Sequence, residues 1–176
     1  MVPRGEVKEL RVWLADANRL DEAAYCAAHP YPLLVHATTG YQLRPVTRTV
    51  MMTMDQAVLD VARRPAQPPS ALDDYVAFAV RGARGVPGFQ VTLGCAEESD
   101  LVINDVTVSK LHATLMQDRR GHWYIQDAGS TTGTHVNDQD PRETQILVSG
   151  DRISLGMVDL VFYLPSQAYH LIRRLV

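Results

Sequence analysis

A chain of 176 residues, 46% hydrophobic and 21% charged, has enough apolar material to bury a core without staples. A net charge of −3 gives no general attraction to nucleic acid or an anionic membrane, and no apolar run is long enough to span a bilayer. Two cysteines, Cys26 and Cys95, make no disulfide framework, and the histidines do not cluster with them at metal-ligand spacing, so a cytoplasmic protein without metal or cofactor is expected.

The N-terminal stretch MVPRGEVKELRVW lacks the apolar core of a signal peptide. DANRLDEAAYCAAH, residues 16–29, places Leu20, Ala24 and Ala27 at helical spacing, and His29-Pro30-Tyr31-Pro32 ends the helix. PLLVHATTGYQLRPVTRTVMM reads as one or two strands around Gly40. Thr53-Met54-Asp55-Gln56 resembles a capping box opening a second helix over MDQAVLDVARR, with Arg63 and Arg64 near its end and Pro65 as its stop. The proline-rich RRPAQPPS, residues 63–70, is the natural division of the chain.

Beyond it the pattern changes to short strand-like runs: YVAFAV, FQVTL, LVI, HATLMQ, HWYIQ, THV, QILV, RISL and VDLVFYL. Turn-forming segments such as DRRG, DAGSTTG and SGD separate them, and no strand–helix–strand alternation appears, so an all-β sandwich or barrel is expected. SQAYHLIRRLV closes the chain as a helix, with Ser166 as N-cap and Ala168, Leu171, Ile172 and Leu175 as an apolar face docked on the rest.

The segment DAGSTTGTHVN, residues 127–137, invites three chemical readings. A nucleotide-binding P-loop needs a lysine followed by Ser or Thr and then a helix; here the lysine is missing and a strand follows. Ser109, His112 and Asp127 are of the right types for a catalytic set, but no nucleophile-elbow pattern surrounds the serine, so a hydrolase using Ser109 and His112 stands only as a remote alternative. Glycines and small hydroxyl residues between strands can converge donors on an anion, and they also make ordinary turns; composition leaves both open.

Taken together, LGCAEESDLVINDVTVSKLHATL, WYIQDAGSTTGTHVN and LVSGDRISLGMVDLVFY resemble the forkhead-associated (FHA) domain family. Gly94, Asp100, Leu101, Ser109, His112, Asp127, Gly129, Ser130, Thr131, Gly133, Thr134, Gly150, Asp151, Leu155 and Gly156 fall in the family's order and spacing. The likeness runs from about Tyr75 to Leu164. It implies a mainly β fold: an antiparallel sandwich of about eleven strands, whose loops at one end bind phosphothreonine peptides and which has no enzyme activity. It divides the chain into an N-terminal α/β extension with its linker (1–70), the sandwich (71–165) and a C-terminal helix (166–176).

The resemblance assigns three candidate loops, Cys95–Ser99, Asp105–Lys110 and Ala128–Thr132. Ser109, Lys110 and Thr131 occupy positions that touch phosphate in the family, while Gly94, His112, Asp127 and Gly133 support the loops. Two positions depart. Cys95 stands where the family has arginine, and Thr132 where it has asparagine. Arg81 and Arg84 are candidates for replacing the lost charge. Two functions follow for a protein partner: a phosphothreonine-peptide module with a weakened or non-standard grip, or a phosphorylation-independent adaptor or dimerisation domain.

Overall fold

The computed structural model describes residues 7–9, 11–37, 75–81, 90–141 and 143–174. Of the one or two strands expected around Gly40, the first appears as Leu33–Ala37; the rest of that stretch from residue 38 on, the helix over 54–64, the linker 63–70, Arg84 and Leu175 lie outside the described residues.

Among the described residues, eleven strands form two sheets. The first takes β1 (Val7–Glu9), β3 (Tyr75–Ala79), β2 (Leu33–Ala37), β11 (Val158–Tyr163), β10 (Arg152–Leu155) and β8 (Thr134–Val136), in that spatial order. The second runs β5 (Leu101–Val102), β4 (Val91–Gly94), β6 (Ala113–Gln117), β7 (Trp123–Asp127) and β9 (Gln145–Leu147). The strand runs expected after the linker therefore all appear. β1 was not legible, because three residues of VKE carry no alternation. The sheets form the expected antiparallel sandwich, with one parallel pairing inside it, β4 with β5. A side-chain clamp and a backbone bond hold that pairing: the Asp100 carboxylate accepts from the Thr92 backbone N–H and hydroxyl, both at 2.9 Å, and the Ile103 N–H donates to the Gly94 carbonyl at 2.8 Å.

Alternation turns one face of each sheet into the space between them, and the first sheet packs a second apolar layer on its other face. Leu34, Phe78, Val91, Leu93, Leu115, Trp123, Ile125, Ile153 and Phe162 fill the space between the sheets. On the opposite face of the first sheet, Leu33, Val35, Ala77 and Ala79 meet Trp13, Ala17, Tyr25, Ala168, Tyr169 and Ile172 from a helical layer. The small alanines let aromatic side chains approach the sheet. β2, drawn from the N-terminal segment, is thus buried on both faces and hydrogen-bonded on both edges, to β3 and β11.

The helical layer corrects two expectations. The single helix over 16–29 is two, α1 (Arg11–Arg19) and α2 (Glu22–Ala28). Asp21 stops the first and caps the second, its carboxylate accepting the Ala24 N–H at 2.8 Å. Ala24 and Ala27 are exposed, and Tyr25 carries the burial instead. The terminal helix, α3 (Pro165–Arg174), begins one residue earlier than expected. Pro165 suits its first turn because its missing N–H needs no partner there. Ser166 therefore lies inside the helix and hydrogen-bonds Glu22 of α2 rather than capping. Its buried side is Ala168, Tyr169 and Ile172, with Leu171 at the flank. Tyr169 packs on Tyr25 with ring centroids 5.3 Å apart.

Register fixes which end of the sandwich each loop occupies. Leu33 pairs both Ala79 and Tyr163 at one end, while Leu155 pairs Val158 near the other. Arg81 follows Ala79, and its guanidinium lies 3.6 Å over the Tyr31 ring. The three candidate loops gather at the opposite end, where the β10–β11 turn meets Thr107. Arg81 therefore does not replace the charge missing at position 95.

Candidate functional site

The three loops are joined by a network in which nearly every polar group of the braces is paired. Gly94 leads out of β4 into the first loop. A Cβ there would stand 2.0 Å from the Lys110 carbonyl oxygen and 2.8 Å from Ser99 Oγ. Only glycine lets the first loop lie against the second. The approach is held by Cys95 N–H to the Ser109 carbonyl at 2.9 Å, Ala96 N–H to the Lys110 carbonyl at 3.2 Å and Ser99 Oγ to the same carbonyl at 3.1 Å. Gly94→Ala should force the Lys110 backbone away and cost about 1–3 kcal/mol or more. Chemical denaturation measures it, and a change under about 0.5 kcal/mol, the usual range for an uninvolved surface site, contradicts the close approach.

His112 is fully buried beneath the second and third loops. Its Nδ1 accepts the Ser109 N–H at 3.0 Å, and its Nε2 faces the Gly133 carbonyl at 3.1 Å, so Nε2 carries the proton and donates. Burial pulls its pKa below the usual imidazole value, against the opposing influences of the Gly133 carbonyl and Asp127. Both ring nitrogens are taken by backbone, so the imidazole cannot act as base toward Ser109 Oγ, and the remote hydrolase reading fails on geometry.

Asp127 organises the third loop. Its Oδ2 accepts the N–H groups of Gly129 and Ser130 at 2.8 and 3.0 Å. Its Oδ1 accepts the hydroxyls of Ser130 and Thr134 at 2.6 and 2.7 Å. Burial raises this carboxyl's pKa, but the hydrogen bonds to the charged form outweigh it and hold the group below the usual carboxylate range. Ser130 Oγ in turn accepts the Gly133 N–H at 3.0 Å. Gly133 needs its positive φ of 81° to close the turn.

At the rim, Thr131 N–H donates to Ser109 Oγ at 3.0 Å, with the two hydroxyl oxygens 3.5 Å apart. Thr131 and Lys110 are exposed and Ser109 is half-buried. Among the described residues Lys110 forms no ion pair. The structure thus brings the Ser109 and Thr131 hydroxyls together at the rim, with exposed Lys110 next to Ser109 in the chain. Thr132 behaves differently. Its hydroxyl donates to the Thr107 carbonyl at 2.9 Å and ties the third loop to the second. Cys95 is half-buried and packs partly against the inter-sheet core, one hydrogen bond from Ser109.

Sequence reasoning missed one brace. Asp105 Oδ1 accepts the Thr107 N–H and hydroxyl at 2.8 and 2.6 Å, and Thr107 Oγ1 accepts the Met157 N–H at 2.9 Å. The Asp-x-Thr spacing was a readable turn signal. The long-range half was not, since Met157 lies fifty positions on. Gly156 belongs to the same contact, because a Cβ there would meet the Thr107 carbonyl at 2.5 Å.

The family model for the FHA domain matches residues 91–156. The chain is 44% identical over 71 residues to the oxoglutarate dehydrogenase inhibitor of Corynebacterium efficiens, covering 40% of this chain and 49% of that protein. It is 38% identical over 65 residues to the glycogen accumulation regulator GarA of Mycolicibacterium smegmatis, covering 37% of this chain and 40% of that protein. The chain therefore spans half or less of the length of these relatives. Among solved structures, the FHA domain of CT664 from Chlamydia trachomatis aligns with a TM-score of 0.46 at 14% identity, covering 75% of this chain and 96% of that one. The family match, the spacing of the loop residues and the sandwich agree: residues 91–156 of this chain are an FHA domain.

Proposed function

We propose that this chain is a non-enzymatic, cytoplasmic interaction module whose apex binds a phosphothreonine-bearing segment of a protein partner. The observation that carries the reading is the arrangement of Ser109, Thr131 and Lys110. Ser109 Oγ accepts from the Thr131 N–H and spends its own proton only on a long, 3.5 Å contact to Thr131 Oγ1, so that proton can turn to an anion; exposed Lys110 is the next residue. A phosphate dianion matches one cation and two hydroxyl donors. The relatives' names, an enzyme inhibitor and a metabolic regulator, favour a partner enzyme whose activity changes on binding. We further propose that the N-terminal segment, which supplies β1 and β2 to the first sheet and α1 and α2 to the layer over it, serves together with α3 to support the sandwich rather than as part of the apex.

The second reading, binding without phosphate, is favoured by Cys95. Without an arginine at that position the apex has lost a charge-assisted donor. The two readings separate in a titration with Cys95→Arg. The Cys95 backbone is bonded to the Ser109 carbonyl, so an arginine there can lay its stem over the apolar surface that Cys95 covers and extend its guanidinium to the rim. One or two such bonds are worth about 1.5–3 kcal/mol each, so phosphopeptide affinity should rise about ten- to a few hundred-fold over wild type. No gain, in Cys95→Arg or in its combination with Thr132→Asn, sinks the phosphate reading in favour of the second.

A further inference from the structure

The second sheet ends at β9, and this edge differs from the others. From Thr144 to Ser149 the sequence TQILVS carries no charge. Ile146 and Val148 are 49% and 59% exposed, on the same face two residues apart. Cross-strand register continues the apolar row inward, Ile146 opposite Tyr124 and Tyr124 opposite Met116. Unpaired strand edges are normally blunted by charge, proline or a covering loop. β8 is covered by the Val136–Gln139 bridge and the Arg152–Asp138 ion pair, β5 is two residues long with Asp100 before it, and the sequence of β1 contains Lys8 and Glu9. β9 is also short and follows Glu143, but from Thr144 to Ser149 it carries neither charge nor proline, and no described strand pairs its outer edge.

Its two ends are oppositely charged. Exposed Asp140 and Glu143 precede the strand, at an open cleft of about 480 Å³. Leu147 pairs Trp123, which brings the other end beside the β6–β7 turn with exposed Arg119 and Arg120. We propose that β9 is a self-association edge: a second copy of this chain pairs β9 with β9, antiparallel, about a twofold axis at Ile146. Antiparallel pairing sets Ile146 against its own counterpart on one face and sets the acidic end of each copy toward the basic turn of the other. A twofold is the symmetry that makes this charge pattern complementary to itself. The inference does not itself invoke phosphate, although the cleft at the acidic end is also lined by Asp127, Gly133 and Thr134, which flank the third loop.

Sedimentation equilibrium of the full chain tests it. The mass should rise from the monomer value of 19.6 kDa toward twice that value as concentration increases. Ile146→Lys with Val148→Lys should weaken association about tenfold or more, with an unchanged melting temperature because both side chains are exposed. Asp140→Lys with Glu143→Lys should weaken it, and adding Arg119→Glu with Arg120→Glu should restore it, since only mutual facing of the two ends permits rescue. A monomer mass at every concentration up to about millimolar, where even a very weak pair would show, overturns the proposal. So does a dimer indifferent to the double lysine variant, or a charge reversal without rescue. Phosphopeptide titration of the lysine variant keeps the two proposals apart, because its apex is intact.

Discussion

A fragment beginning at residue 71 is expected not to fold. It retains every residue matched by the FHA model but loses β2, which lies between β3 and β11. Without β1 and β2, β3 has no partner strand, and β11 loses its pairing from Leu33 to Val35. The fragment also loses the buried side chains Leu33, Leu34 and Val35, together with Trp13 and Tyr25, which cover Ala168, Tyr169 and Ile172. Burial of a large apolar side chain contributes about 1.5–3 kcal/mol. Five of them are comparable with the entire net stability of a domain, about 5–15 kcal/mol. Circular dichroism and thermal unfolding of residues 71–176 should show no cooperative transition. A transition near that of the full chain would mean that the N-terminal segment is an appendage.

His112→Ala is expected to destabilise the full chain by about 3–5 kcal/mol, combining an unfilled buried volume with two backbone groups left without partners. The groups are the Ser109 N–H and the Gly133 carbonyl, one from the second loop and one from the third. The variant should therefore lose apex function even at temperatures where it remains folded. The pH dependence carries a sign. Burial lowers the folded pKa of His112, so the unfolded chain takes up the proton first as pH falls. The contribution of the neutral ring is complete above the unfolded value of about 6.5 and diminishes as pH drops from there toward the lower folded value. The stability gap between wild type and His112→Ala should accordingly narrow between about pH 7 and pH 5. A gap that is constant or widens over that interval contradicts a buried neutral imidazole.

The sandwich was legible because its strands alternate. Runs such as HWYIQ and RISL repeat a buried residue every second position, and turns rich in glycine, aspartate and serine bound them. The helices were less legible. Leu20, Ala24 and Ala27 match a helical face in spacing, yet Asp21 divides the segment by capping, and Tyr25 supplies the burial that the alanines do not. The place of β2 in the sheet was not legible at all, because its partners β3 and β11 lie far along the chain. At the apex, the spacing of Gly94, Ser109, His112, Asp127 and Gly133 was enough to locate the loops. What spacing could not supply was the difference between adjacent threonines: Thr131 stands exposed beside Ser109, while the hydroxyl of Thr132 is committed to the Thr107 carbonyl. The tautomer of His112 is likewise a property of the assembled loops.

The most direct test of the account is calorimetric or fluorescence titration of the full chain with matched phosphothreonine and threonine peptide libraries. Saturable binding that requires the phosphate, is abolished by Ser109→Ala and is weakened about tenfold or more by Lys110→Ala is the predicted result, since each substitution removes a group proposed to face the anion. Binding that is equal for both libraries, or phosphate-dependent binding untouched by Ser109→Ala, would contradict recognition at this apex.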